Sequence, residues 1–208
     1  MIALRLSLLF LFSSMVVDAA QTDQGWRAAG VKKGVTLTFR DDLQLNARQV
    51  RAVAELPHAP DRIIPVVCDF TQSLDPDMRE TRVLSGEIGG RYEIYLRYVS
   101  RYLVVSARDV VLDVRREPNG CAWSEVAERV PPQSGAVRMR LLRGSWTVEP
   151  IDTSRSRLTY QIAVRPGGSI PGWMVRRGAV SALPEVIGHV ARCLSDPERR
   201  DGRCPKPS

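Results

Sequence analysis

Between Glu80 and Val164 the chain repeats one pattern: short runs of alternating apolar and polar residues, all but the one ending at Tyr98 closed by Pro, Gly or Asn, with no helical period between them. Thr81 to Gly86 leads to a turn at Gly89-Gly90, after which Tyr92, Ile94, Leu96 and Tyr98 alternate with Glu93, Tyr95 and Arg97. Ser106 to Asp109 breaks the pattern before Val110, Leu112 and Val114 resume it. Pro118-Asn119-Gly120 predicts a hairpin with a tight primed turn. Trp123 to Val130 is the returning strand, and Pro131 to Gly135 is a connecting loop. Val137 to Val148 and Leu158 to Val164 are the next two strands, joined through Pro150 to Ser156. Strands in direct succession predict an antiparallel meander.

The last element has a different period. Beyond Pro166-Gly167-Gly168, Pro171 to Leu194 places Trp173, Val180, Leu183, Ile187, Val190 and Leu194 on one helical face. At 1.5 Å per residue this helix is roughly 36 Å long, and Pro184 should kink it locally. Upstream, Thr22 to Ala29 reads as a short helix carrying Trp26 and closed by Gly30. Val35 to Phe39 and Arg48 to Leu56 alternate as strands. Pro60 opens a helix through Ile63, Ile64, Val67 and Cys68, and 71–78 is a loop with a turn at Asp75-Pro76-Asp77. The fold class expected is α+β, a curved antiparallel sheet met by a long C-terminal helix.

Residues 1–19 follow the plan of a secretory signal: Arg5, an apolar stretch from Leu6 to Val17, and small residues around Ala19 and Ala20 for cleavage. The apolar run is short of the ~20 residues that span a bilayer, so an exported, periplasmic protein is expected. Cleavage after Ala19 removes one charge of each sign and leaves the net charge at +7. That charge suits transient contact with an anionic membrane surface; no aromatic-interleaved basic run points to nucleic acid. Four cysteines, an even number in an oxidising compartment, allow three connectivities. Cys193 and Cys204 flank a polar segment, and a bridge there would tie the tail 196–208, otherwise flexible, to the helix end. Cys68 lies in an apolar run, where a buried thiol or a bridge to Cys121 are the alternatives.

Catalytic chemistry finds little support. His58 and His189 are the only histidines; both are expected at the surface, and no carboxylate cluster has metal-ligand spacing. No nucleophile elbow, P-loop or dinucleotide fingerprint occurs, and Ser145 lies inside a strand. No cofactor, metal or catalytic residue is assigned. A sheet with one apolar face, covered by one apolar helix, instead leaves room for an apolar ligand. The strands would line this space with Tyr92, Ile94, Leu96, Tyr98, Val110, Leu112, Val114, Trp146 and Tyr160. The helix would add Trp173, Val180, Leu183 and Ile187. Arg108 beside Asp109, in the strand break, could place a charged pair at this space or form a surface salt bridge.

Several segments carry a family resemblance: Tyr95-Leu96-Arg97-Tyr98, Arg108-Asp109-Val110-Val111-Leu112, Val137-Arg138-Met139, Leu142 to Trp146 with Glu149-Pro150, Thr159-Tyr160-Gln161, and Pro166-Gly167-Gly168-Ser169-Ile170-Pro171-Gly172-Trp173-Met174-Val175. The chain is similar, over residues 24–195, to the START family of steroidogenic-acute-regulatory-related lipid-transfer domains. The resemblance implies a helix-grip fold, its sheet wrapped around the C-terminal helix, and a lipid-sized tunnel whose residues line it without catalysing. Phe70 to Met78 lacks the aromatic-Pro-acidic-Trp pattern of many relatives, and Arg176-Arg177 replaces the Asn usual in bacterial ones; both bear on the entrance. The expected partner is a lipid or other apolar small molecule. The competing readings are a polyketide cyclase or aromatase-like enzyme and a ligand-free envelope interaction module.

Overall fold

The computed structural model describes residues 25–72, 74–99, 106–126, 129–131, 133–196 and 204. The expected signal and cleavage site, and the tail apart from Asp196 and Cys204, lie outside them. The element order is β1 (Arg27–Lys32), β2 (Val35–Asp42), β3 (Ala47–Leu56), α1 (Pro60–Val67), a 3-10 turn (Phe70–Gln72), β4 (Met78–Gly86), β5 (Arg91–Tyr98), β6 (Ala107–Glu117), β7 (Gly120–Glu125), β8 (Ala136–Arg138), β9 (Leu141–Pro150), β10 (Ser156–Arg165) and α2 (Gly172–Ser195).

Nine strands form one row, β1-β2-β3-β10-β9-β7-β6-β5-β4, and β8 pairs with β6 off that row. Every neighbouring pair in the row is antiparallel; β8 runs parallel to the start of β6. The meander from β4 to β10 follows from turns too short to cross the sheet. α2 packs on β2, β3, β10 and α1. The core between them takes Val50 and Ala52 from β3, Ile94 and Leu96 from β5, and Val110 and Leu112 from β6. Ile63 and Val66 come from α1, and Leu183, Ile187, Val190 and Leu194 from α2. Each such aliphatic side chain contributes about 1.5–3 kcal/mol of burial.

The expected short helix at the N-terminus is a strand. Residues 22–24 lie outside the described residues, and Arg27–Lys32 pairs with β2. Lys33 and Gly34, at φ 54° and 76°, make the two-residue turn that folds β1 back. Sheet pairing satisfies the backbone that the helix would have satisfied internally. Gly30 marks a register shift in the ladder, not a helix end. The hairpin at Pro118-Asn119 exists, but its turn is not primed. Neither residue has positive φ, because proline fixes its own near −65°. Gly120 is required for a different reason: a Cβ there would stand 1.9 Å from the Trp146 carbonyl oxygen on β9.

Two further expectations change. The strand break at Ser106–Asp109 is displaced upstream, since β6 already includes Ala107 to Asp109. The expected strand Val137–Val148 is two strands: β8 joins β6, and β9 starts at Leu141 beside β10. A strand of three residues, Ala136-Val137-Arg138, has too little alternation to announce itself. Both cysteine pairs are bridged, Cys68–Cys121 and Cys193–Cys204, with Cα atoms 5.8 and 5.0 Å apart. The first ties the end of α1 to β7, and the second ties the last turn of α2 to residue 204. His189 is buried, not on the surface, at 3 % exposure.

Candidate ligand-binding site

Strand register sets the floor of the site. Tyr160 on β10 stands opposite Trp146 on β9, and Ile162 stands opposite Gly144, which in turn faces Trp123 on β7. Directly opposed residues share a face, so their side chains meet. Trp146 and Tyr160 stack with ring centres 3.9 Å apart, and Trp123 lies 5.9 Å from Tyr160. Gly144 is what admits the Trp123 indole: a Cβ would come within 2.4 Å of its Cζ2 and of the Gln161 carbonyl oxygen. Phe70, from the 3-10 turn, meets Trp123 edge-on at 5.1 Å. Its backbone N–H donates to the Tyr92 hydroxyl (3.1 Å), which donates to the Cys68 carbonyl (2.6 Å).

Above this aromatic floor is a pocket of about 320 Å³. Its walls are Phe70, Trp123, Met139, Leu142, Tyr160, Ile162 and Val164 from the sheet side, and Met174, Gly178, Ala182, Leu183 and Val186 from α2. Asp75, Asp77, Tyr98, Ser106 and Arg108 supply its polar groups. A smaller space of about 40 Å³ adjoins it, lined by Trp146, Tyr160, Tyr98 and Asp75 among others.

Of the residues assigned from sequence, Tyr98, Arg108, Tyr160 and Leu183 line the larger pocket, and Trp146 lines the smaller. Tyr92, Ile94, Leu96, Val110, Leu112, Val114 and Ile187 are buried core beside it, and Val180 packs against that core half-buried. Trp173 is 59 % exposed and lines neither. The helix presents 174, 178, 182 and 186, a stripe turned by about one residue from the expected face, while Ile187 and Val190 face the core. Sequence reasoning missed Phe70, Trp123, Ile162 and Val164. Ile162 and Val164 share parity with Tyr160 and were available to the same alternation argument; Phe70 belongs to a loop with no period.

Arg108 and Asp109 do not pair with each other. Successive strand residues face opposite sides, so Arg108 enters the pocket while Asp109, fully buried, pairs with Arg138 at 2.8 Å and accepts the Gln133 N–H at 3.1 Å. Arg108 is 8 % exposed. It donates to the Ser106 carbonyl, and its Nε has no acceptor among the described residues. Burial lowers its pKa from the ordinary guanidinium value. Burial likewise raises the phenols of Tyr98 and Tyr160, and the Asp75 charge raises both further. These two tyrosines are therefore protonated hydrogen-bonding groups at neutral pH, not bases. Among the described residues no group of His, Cys, Asp or Glu gathers as a metal site.

No family model matches the chain. Over 83 residues, 38% of its length, it is 32% identical to an uncharacterized protein of Pseudomonas aeruginosa, and over 89 residues, 43%, it is 26% identical to the phosphatidylcholine transfer protein of Mus musculus. These matches span 41% and 42% of the two relatives, less than half their length. Among solved structures, the STAR-related lipid transfer protein of Xanthomonas axonopodis aligns with 83% of this chain and 99% of its own, at TM-score 0.70 and 26% identity. This chain is similar to START lipid-transfer domains in structure and, over part of its length, in sequence. Human StAR-related lipid transfer protein 5 shares the START fold over 84% of this chain and 88% of its own, at TM-score 0.75 and 15% identity. The Zhui aromatase/cyclase of Streptomyces shares it over 70% and 94%, at TM-score 0.52 and 15% identity. A large antiparallel sheet with few helices is what these START structures and this chain have in common.

Proposed function

We propose that this START-like protein binds a lipid or similar apolar molecule in the pocket above Trp123 and Tyr160, with α2 as the gripping wall and lid. The observation that carries the reading is the composition of that pocket. Aromatic and aliphatic side chains make most of its wall, with Asp75, Asp77 and Ser106 beside one buried guanidinium, Arg108, whose Nε lacks an acceptor among the described residues. About 320 Å³ lies in the ordinary range for small-molecule sites. Apolar contact would supply affinity at ~25 cal/mol per Å² removed from water, and Arg108 would orient one polar atom of the ligand. The lipid transfer for which the Xanthomonas and human proteins are named, and the phosphatidylcholine transfer for which the mouse protein is named, support the same class.

We place the protein in the periplasm. The signal-like residues 1–19 and two disulfides both fit an exported chain in an oxidising compartment. A binding role is favoured over an aromatase/cyclase role. The pocket tyrosines stay protonated, both described histidines lie outside the pocket, and the likeness to the aromatase/cyclase is one of fold. The test is mass spectrometry of material extracted from protein purified without detergent, together with titration of a fluorescent lipid analogue. A defined co-purifying lipid and saturable displacement by it are expected. Absence of both, or turnover of an added polyketide-like substrate, would overturn the reading.

A further inference from the structure

A second concavity, about 470 Å³, lies between the β2–β3 hairpin and the connection from β10 to α2. It shares Ile162, Val164, Pro166 and Ile170 with the aromatic pocket, so a charged concavity and an apolar one adjoin along those four residues. Arg48, Arg140 and Arg165 line the outer part, with Asp41 and Asp42. Both carboxylates are already engaged. Asp41 pairs with Arg27 and with Arg48 at 2.8 Å, and Asp42 accepts the Leu45 N–H at 3.0 Å and the Gln49 amide at 2.8 Å. Arg140 and Arg165 have no carboxylate partner among the described residues, and the Nε of Arg165 is shut off from water without an acceptor. Gly167 fixes the far wall, since at φ 72° its Cβ would stand 2.6 Å from the Arg138 carbonyl oxygen.

We infer that this outer vestibule, by way of Arg140 and Arg165, holds the anionic head of an amphiphile whose tail occupies the aromatic pocket. Guanidinium groups bind carboxylate and phosphate oxygens by charge-assisted, often bidentate hydrogen bonds. Two arginines without acids on the rim of an apolar groove are a site for either head group. The inference rests on the apolar-binding reading above and narrows its ligand class from any apolar molecule to an acid whose inner part carries the polar atom that Arg108 would orient.

The test is calorimetric titration of the folded protein with an alkyl alcohol, carboxylate and phosphate of equal chain length, each below its micelle concentration. The acids should bind at least about tenfold more tightly than the alcohol, and that advantage should shrink at high salt. Arg140→Gln and Arg165→Gln should each cut acid affinity severalfold and leave alcohol affinity unchanged, while Arg157→Gln, on an exposed stretch of β10, should alter neither. A carboxylate-over-phosphate or phosphate-over-carboxylate preference identifies which head group the vestibule fits. Equal affinity for all three overturns the head-group assignment and leaves apolar binding intact. A preference for acids that survives both variants overturns the vestibule as its location. No binding of any of the three overturns this inference and the reading beneath it.

Discussion

Asp109 is the residue on which the outer layer of the sheet depends. Burial alone would raise its carboxyl, but the Arg138 hydrogen bond, the Gln133 N–H and the charges of Arg138 and Arg97 outweigh that and hold its pKa below the usual 3.8. A depressed carboxyl pKa stabilises the fold above the unfolded value of about 3.9 and loses that contribution as pH falls through the folded value. Asp109→Asn should therefore cost about 2–4 kcal/mol at pH 7, because it strands Arg138 beside a neutral amide. Urea unfolding should show the gap closing below about pH 4, where the parent protein loses the same charge. Equal midpoints at pH 7 would contradict the assignment. Reading the chain alone set Arg108 and Asp109 together as a possible pair. Strand parity separates neighbours by a whole sheet thickness, and the partner that matters, Arg138, is 29 residues away on β8.

At the level of elements, the long meander and α2 were legible because their periods run over many residues and their connections, that between β5 and β6 excepted, carry Gly, Pro or Asn. β1 and β8 were not. β1 has one residue at intermediate burial and five exposed, so no alternation marks it, and β8 has three residues, all half-buried. Pairing with a neighbour, not local pattern, makes each a strand. The helix face was legible to within about one residue, and that is the difference between lining the pocket and packing the core. Gly178 tests the distinction: an added Cβ there meets no atom within 4 Å, and the residue borders the pocket. Gly178→Leu should leave the fold intact or raise its stability by about 0.5–1 kcal/mol through helix propensity. It should also weaken ligand binding at least about tenfold by filling space. Unchanged affinity in a folded variant would remove α2 from the site. The Cys68–Cys121 bridge closes a loop of 53 residues, so Cys68→Ser with Cys121→Ser should lose about 4 kcal/mol in thermal or denaturant unfolding.

Across the whole molecule, the antiparallel architecture and the START resemblance were readable from residues 24–195, whereas the pocket required the register of β7, β9 and β10, which no single strand reveals. Of the seven assigned site residues that are core, six lie on β5 and β6 away from the pocket wall, and the seventh, Ile187, is on α2. One consequence concerns how force is distributed along α2. Its C-terminal half buries Leu183, Val186, Ile187, Val190, Cys193 and Leu194 and is fastened through Cys193 to Cys204, whose backbone N–H donates to the Gln72 side chain at 2.7 Å. Its first turn carries exposed Gly172 and Trp173, has no side-chain cap, and follows Gly167-Gly168 at positive φ. Amide hydrogen exchange along the helix should accordingly be graded, slowest beyond Leu183 and fastest before Gly178. Reduction of Cys193–Cys204 should flatten the gradient from the protected end. On the proposed function, the helix would act as a beam clamped at one end, with displacement largest at Met174 and Gly178 and smallest toward Cys193. Passage of a ligand would then bend the free end without disturbing the clamp, and the pocket floor would keep its shape while its mouth changed width.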